Sequence, residues 1–428
     1  MPTVRPRIVI VGGGFGGLAA AKALRRIDAD VTLIDRTNYH LFQPMLYQVA
    51  TASLAPSDIT APIRYILRKQ KNVTVLLAEV TAIDVEKKTI HIDAPSEDIP
   101  YDYLIVASGT RHSYFGHRDW EQFAPGLKGI EDASEVRRRF LLAFENAEKA
   151  VDPAERDAFL TFVVVGGGPT GVELSGALPP IATKALYPDF RNIDTRKTRV
   201  ILVEGGPRLL PSFPPALSEV AEKSLKEIGV EVRTSSIVTH IDADSVDIGI
   251  ERIPTRTVFW AAGNEASPLG RMLGVPTDKA GKVLVREDLS IPGHQEVFVV
   301  GDLAHVVRAD GRPVPGVCPA ANQEGATAAK NIIHLLRRQP TRPFHYFNKG
   351  DLAVIGRSRA IADFGKVQLS GFIAWLLWLF VHIMYLVGFR NRVIVFIEWA
   401  YNYFTYQRGV RVITNAEREQ RPGPIPVG

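Results

Sequence analysis

The sequence predicts an α/β protein in which one strand–turn–helix–strand theme occurs twice and an apolar, aromatic helical tail follows. Three observations predict it. The turn Gly12-Gly13-Gly14-Phe15-Gly16-Gly17 follows the apolar run Ile8-Val9-Ile10-Val11. A second turn, Gly166-Gly167-Gly168-Pro169-Thr170-Gly171, follows Phe162-Val163-Val164-Val165. Residues 369–388 then carry no formal charge over twenty positions.

The first theme opens with a β-branched run that reads as a buried parallel strand. Leu18 to Leu24 after the turn is rich in strong helix formers. Gly12, Gly14 and Gly17 fill the G-x-G-x-x-G pattern. The first allows a tight turn, the second lets the backbone approach a pyrophosphate, and the third lets helix and strand pack closely. Phosphates then meet unpaired N–H groups at a helix N-terminus. Asp30 to Asp35 reads as the second strand, ending in a carboxylate suited to a ribose hydroxyl pair. This is the pattern of a Rossmann-like dinucleotide-binding domain.

Asn38 to Ala50 is polar and aromatic without periodicity, so a loop over a ligand is expected. Asn72 to Glu79 reads as a strand and Ala82 to Asp93 as one half of a hairpin. Tyr101 to Val106 is another buried strand, ending in Ala107-Ser108-Gly109-Thr110, where small residues let a cofactor come close. Residues 131–150 have a charged helical pattern. In the second theme Arg199 to Val203 ends at Glu204, with 179–197 inserted ahead of it. Val258 to Gly263 echoes Val106 to Gly109. Glu296 to Asp302 is a strand ending in Gly301-Asp302, where a carboxylate can take a polyol hydroxyl, and Ala320 to Leu336 reads as a helix.

The 369–388 run is long enough to cross a bilayer. After Phe389-Arg390-Asn391-Arg392, the segment Val393 to Tyr406 carries Glu398 and Asn402 and is too short and polar to return. Tryptophans and tyrosines flanked by Arg408 and Arg411 suit an interfacial segment, with rings at headgroup depth and guanidinium groups on lipid phosphates. A monotopic anchor is favoured over a single span; a dimer interface or a core helix pair is the soluble alternative.

The chain of 428 residues is two or three domains' worth. Its net charge is +5, yet residues 340–428 hold eleven Lys and Arg against five Asp and Glu. The basic balance thus sits in the aromatic tail, pointing to an anionic lipid surface and not to nucleic acid. Cys318 is the single cysteine, so neither a disulfide framework nor a cysteine-based metal site is expected, and no metal is assigned. That usage fits a reducing compartment and a cytoplasmic catalytic body. The chain enters a strand almost at once, so no leader segment is expected.

The second turn is placed to bring a nicotinamide dinucleotide to a flavin held by the first. Glu204 should accept from the adenosine ribose and repel a 2′-phosphate, favouring NADH over NADPH, a preference Arg208 could soften. Disulfide reductases of this architecture need a cysteine pair near the flavin and thiol peroxidases of this type need one cysteine after Asp35, but that region holds Phe42 and Gln43 and Cys318 is alone. Electrons must leave the flavin directly, and with a membrane-seeking tail the natural acceptor is a quinone.

Through Gly12 to Gly17, Asn38 to Ala50, Gly166 to Gly176, Val203 to Leu210, Gly301-Asp302 and Gly356-Arg357-Ser358-Arg359 to Gly409, the chain resembles the type II NADH dehydrogenases, single-subunit NADH:quinone oxidoreductases that pump no protons. The resemblance implies two Rossmann-like domains of the glutathione-reductase kind plus a membrane-associated helical segment. The expected division is residues 1–115 with 265–340 for FAD, 116–264 for NADH, and 341–428 as a membrane-anchoring region. It further implies non-covalent FAD, NADH as substrate, a membrane quinone as partner and, as is common in the family, a homodimer.

Carried over residue by residue, Gly12, Gly13, Gly14, Phe15, Gly16, Asp35, Arg36, Gln48, Val80, Gly109, Gly301, Asp302, Pro319 and Ala320 match FAD contacts. Val80 is the adenine contact and Asp302 the ribityl contact. Gly166, Gly168, Gly171, Glu204 and Gly263 match the NADH side. Glu173 matches a glutamate proposed to help proton transfer near the quinone; its plainer role is to brace the second turn. The family often carries A-Q-x-A-x-Q at the quinone site. Here Cys318-Pro319-Ala320-Ala321-Asn322-Gln323 keeps Gln323 but has Pro319, without a side-chain amide, in place of the first glutamine. The rival functions are a soluble NADH diaphorase using oxygen or an electron-carrier protein, and a non-catalytic NADH-sensing membrane protein.

Overall fold

The computed structural model describes residues 5–93, 98–308, 310–407 and 409–413. They form two compact units. The first runs to Leu41 and resumes with Thr60–Ser113 and Asn264–Lys349; the second holds Phe42–Ile59, Tyr114–Gly263 and the chain from Gly350 on. The tail expected to stand apart is thus grouped with the second unit, as is 42–59.

In the first unit the strands Arg7–Val11, Asp30–Asp35, Tyr103–Val106 and His294–Val299 have apolar residues on both faces, which only a sheet covered on both sides can bury. They form the centre of a six-stranded sheet in the order 290–291, 294–299, 103–106, 7–11, 30–35, 73–77. Strand 7–11 pairs in parallel with both 30–35 and 103–106. The strand order reverses there, which opens a crevice at the carboxyl ends.

The second unit repeats the plan. Thr161–Val165 lies between parallel partners Arg199–Val203 and Thr257–Trp260, with Val230–Arg233 outside. A three-stranded antiparallel sheet, Asp351–Gly356, Arg359–Asp363 and Gln368–Ser370, follows in the tail. It lies hard against the helix Pro169–Pro180. A Cβ on Gly176 would stand 1.6 Å from the Ile355 carbonyl oxygen, so no larger residue fits this crossing.

The tail continues as helices Gly371–Tyr385 and Phe389–Thr405, broken at Gly388, whose φ is +91°. No helix among the described residues is long and apolar enough to cross a membrane. Ala374, Trp378 and Val395 are buried, while Phe380, Phe389 and Phe404 are 64%, 82% and 79% exposed.

Several expectations need correcting. Asn38–Ala50 is not a loop: strand Tyr39–Leu41 pairs with Thr60–Pro62, and Leu46–Ala50 is helical. Phe42, Met45, Leu46, Val49 and Ala50 are all buried. The stretch passes from one unit to the other after Leu41, so no single period runs through it. Ala82–Asp93 covers parts of both hairpin strands, Val80–Asp84 and Thr89–Ile92. The supposed insertion begins as helix: Pro169–Pro180 runs on through a π-helical turn, Ile181–Leu186.

The outward aromatic belt is also differently built. Trp375, Trp378 and Trp399 line a cavity, and the exposed face is mainly phenylalanine and aliphatic. Arg392 donates to the carbonyls of Met384 and Leu386 at 2.8 Å, closing the first tail helix. Arg411 is taken up by the Ala185 carbonyl and the Asp189 carboxylate. Arg408 lies outside the described residues.

Candidate active site

The two glycine turns are built alike. Gly12 and Gly166 have φ of +103° and +111°, a left-handed conformation that a side chain would strain. Each closes on its neighbour strands by the same backbone bonds, Gly12 to Ile34 and Gly166 to Val203 at 2.8 and 2.7 Å. A Cβ on Gly17 or on Gly171 would lie 1.8 Å from the carbonyl oxygen of Gly12 or of Gly166. At Gly14 and Gly168 the same test meets nothing within 4 Å. The helices that follow, Phe15–Ala23 and Pro169–Pro180, start without a side-chain cap and without an acid in the first turn. Each unit therefore offers a helix N-terminus fronted by open space, a fit for a dinucleotide pyrophosphate.

The carboxylates at the second strands do more than await a ribose. Asp35 accepts from the Gly13 N–H at 2.5 Å and from the Thr37 N–H and hydroxyl at 2.6 and 2.7 Å. Glu204 accepts from the N–H groups of Gly167 and Gly206, both at 2.6 Å. Both thus hold the turns in shape. Arg208 donates to the carbonyls of Phe213 and Pro211 and to the Ser218 hydroxyl, at 2.6, 2.9 and 3.0 Å. Its guanidinium is thus engaged by its own loop.

Asp302 stands after Gly301, whose φ is +73°. A residue the sequence reading missed pins this turn: Glu324, 3% exposed, accepts from the Gly301 N–H at 2.5 Å. Burial pushes its carboxyl up to about 7, with the Asp302 charge adding to the rise and the Gly301 N–H offsetting part of it. The available signal was one acid in a helix otherwise small on that face, Ala320, Ala321, Gly325 and Ala328. His40 was also missed. Its Nδ1 lies 3.1 Å from the Gly13 carbonyl, and its ring meets Phe15 edge-on at 4.9 Å. Val80 is buried, and Arg36 and Gly109 belong to the same unit.

Pro319 and Ala320 open the helix Cys318–Leu336. Gln323 on that helix has its amide fully engaged: it donates to the carbonyls of Pro319 and Phe347 at 3.1 and 3.0 Å, and accepts from the Phe347 N–H at 2.9 Å. It straps the following segment to the helix and is not among the residues walling the cavity described next. Gln48 does wall it. Its Oε1 accepts from the Trp399 indole N–H at 2.6 Å and its Nε2 donates to the Tyr47 hydroxyl at 3.0 Å.

That cavity lies within the second unit. Its walls come from 47–53, from Glu173, Gly176, Ala177 and Pro180 of one helix, from Val354–Arg357 of the tail sheet, and from Trp375, Trp378, Trp399, Asn402, Tyr403 and Tyr406 of the tail helices. Flat aromatic walls suit a flat apolar ligand. Burial pushes the Glu173 carboxyl up to about 8, against a bond from the Val354 N–H that lowers it. Glu173, its protonated form favoured by burial, thus lies on the wall of an aromatic cavity. It does not brace the glycine turn, a task that falls to Glu204. Gly263, with φ of +72°, ends the adjoining strand as Gly109, with φ of +68°, does in the first unit.

Comparison with known proteins places this geometry. Residues 6–325 match the family model for the pyridine nucleotide-disulphide oxidoreductases, and residues 348–406 match the NDH2 C-terminal domain. The chain is 46% identical over 427 residues to the type II NADH:quinone oxidoreductase NdhA of Mycobacterium tuberculosis, covering 96% of this chain and 90% of that protein. It is 44% identical to Ndh of the same organism, covering 97% and 92%. The solved structure of NDH2 from Plasmodium falciparum with NADH matches with a TM-score of 0.86 at 22% identity, over 94% of this chain and 99% of that one. Two dinucleotide turns, a tail of matching type and relatives similar from end to end agree: the chain belongs to the type II NADH:quinone oxidoreductase family, on the pyridine nucleotide-disulphide oxidoreductase fold.

Proposed function

We propose that the chain oxidises NADH and reduces a membrane quinone through non-covalently bound FAD, without pumping protons. The observation that carries the acceptor half is the aromatic cavity with the protonated Glu173 on its wall. FAD fits the first unit: an open helix N-terminus at Gly14 for the pyrophosphate, Asp35 for the adenosine ribose, Asp302 for the ribityl chain. A bound flavin accepts hydride from the nicotinamide and passes on two electrons.

The protein's part is positioning and proton supply. The second turn anchors the NADH pyrophosphate at Gly168, and Glu204, besides holding Gly167, presents a negative charge unfavourable to a 2′-phosphate. NADH, one proton and the quinone give NAD+ and the quinol, so one proton beyond the hydride is needed. Glu173 holds a proton at neutral pH and donates it from the cavity wall. Reducing the protein with NADH under anaerobic conditions should bleach its flavin spectrum, and a short-chain quinone should restore it faster than oxygen does. Recovery no faster than with oxygen would leave a diaphorase and remove the quinone.

The exposed phenylalanines of the tail helices support peripheral attachment to a lipid surface, since apolar patches of this kind mark interaction sites. Cysteine usage supports the cytoplasmic face. Changing Phe380, Phe389 and Phe404 together to serine should shift the protein from the vesicle pellet to the supernatant in a flotation assay. These side chains line no part of the cavity, so the variant tests attachment apart from catalysis. Unchanged pelleting would rule out this face as the anchor.

A further inference from the structure

Among the described residues walling the aromatic cavity, Arg357 is the one cation. It sits in the tight turn between strands Asp351–Gly356 and Arg359–Asp363, next to Ser358, whose φ is +61°. Its guanidinium carbon lies 4.2 Å from the Tyr403 ring centroid and 4.0 Å from that of Tyr406, so two tyrosines flank it. The sandwich is held in place, because Tyr403 shares a 3.2 Å hydroxyl contact with Ser358 and packs 5.2 Å from Trp375. Yet Nη1 is buried and has no hydrogen-bond partner among the described residues, and no carboxylate there forms an ion pair with this arginine.

A buried cationic N–H without an acceptor is costly, and ring faces offset only part of that cost. The neighbouring Glu173 does not supply the acceptor, since none of its oxygens lies within hydrogen-bond distance of the Arg357 Nη1. An oxygen brought by a ligand would supply the missing partner. A strongly hydrated anion such as phosphate would have to shed its water among three tryptophans for a single open N–H. A neutral quinone carbonyl oxygen enters at little cost and turns anionic only as electrons arrive.

We propose that Arg357 binds the carbonyl oxygen of the quinone, holding the ring between the aromatic walls and stabilising the charge that develops on that oxygen. This rests on the reading of the cavity as the acceptor site. The two electrons come from NADH; the oxygen at Arg357 becomes a hydroxyl when a proton follows them, and the arginine itself keeps its protons throughout. A donor that strengthens as charge builds raises the rate as well as the affinity.

The test uses 2-hydroxy-1,4-naphthoquinone, an anion at neutral pH, and its neutral methyl ether, with flavin-loaded enzyme in detergent. Binding is read by quenching of tryptophan fluorescence and by competition with a short-chain quinone in turnover. The native protein should bind the anion at least tenfold more tightly than the ether. Arg357→Met should erase that preference, and Arg357→Lys should keep part of it, with flavin content and melting confirming that both variants are folded. If Arg357→Met keeps the preference while the anion still competes with the quinone, the arginine assignment falls and the cavity reading stands. If the anion does not compete with the quinone at all, the cavity is not the acceptor site and both fall.

Discussion

A Gly171→Ala variant is expected to retain its flavin and to lose at least about a hundredfold in the rate at which NADH bleaches it, about 2.8 kcal/mol at 1.4 kcal/mol per tenfold. The added methyl carbon would stand 1.8 Å from the Gly166 carbonyl oxygen, and both partners are fixed. Gly166 is tied to Val203 by its N–H, and Gly171 lies in the first turn of a helix whose far side is pressed on Ile355. The turn must open, and the Gly167 N–H is drawn away from Glu204. Forced overpacking of this kind typically costs 1–3 kcal/mol even where a core can adjust. The mirror variant, Gly17→Ala, meets the Gly12 carbonyl at the same distance and should instead purify with little flavin. Absorbance of the purified proteins and rapid-mixing bleaching by NADH separate the two. Native bleaching in Gly171→Ala would mean that the second turn does not hold the nicotinamide dinucleotide.

A Glu173→Gln variant should slow quinone reduction about a hundredfold, within the range for a general acid, and flatten its pH dependence. The sign of the accompanying stability change is fixed. The Glu173 carboxyl is raised from 4.5 to about 8 in the folded chain, so the folded state binds this proton more tightly than the unfolded one. Its stabilising contribution is complete below the unfolded value near 4.5 and is lost as pH climbs through about 8. The native protein should therefore lose melting temperature between about pH 5 and pH 8, and the glutamine variant, which cannot ionise, should lose less. Parallel melting curves for the two proteins across that range would show that Glu173 does not hold its proton as described.

How much of this was legible depends on whether a feature is local in the chain. The glycine turns were readable because a strand, a turn and a helix lie within about twenty residues, and each glycine answers a local demand, as Gly12 and Gly166 show with their positive φ. The cavity was not readable. Its walls come from segments near 48, 173, 355, 378 and 402, and no spacing announces that Trp399 reaches Gln48 or that Arg357 lies between two tyrosines. Polar side chains have partners that no spacing announces: Arg208, Arg411 and Gln323 looked free to meet a phosphate, a lipid and a quinone, yet each is held by nearby groups, mostly carbonyls. The tryptophans looked interfacial because composition cannot tell which side of a helix turns inward.

The helix Pro169–Pro180 begins at the second glycine turn, and its flank, through Glu173, Gly176, Ala177 and Pro180, forms a wall of the aromatic cavity. On the proposed assignment, one helix serves donor and acceptor alike. Any tilt that distinguishes the loaded from the empty nucleotide site must reshape the acceptor's berth, and thermodynamic reciprocity requires that the acceptor then alter nucleotide affinity by the same factor.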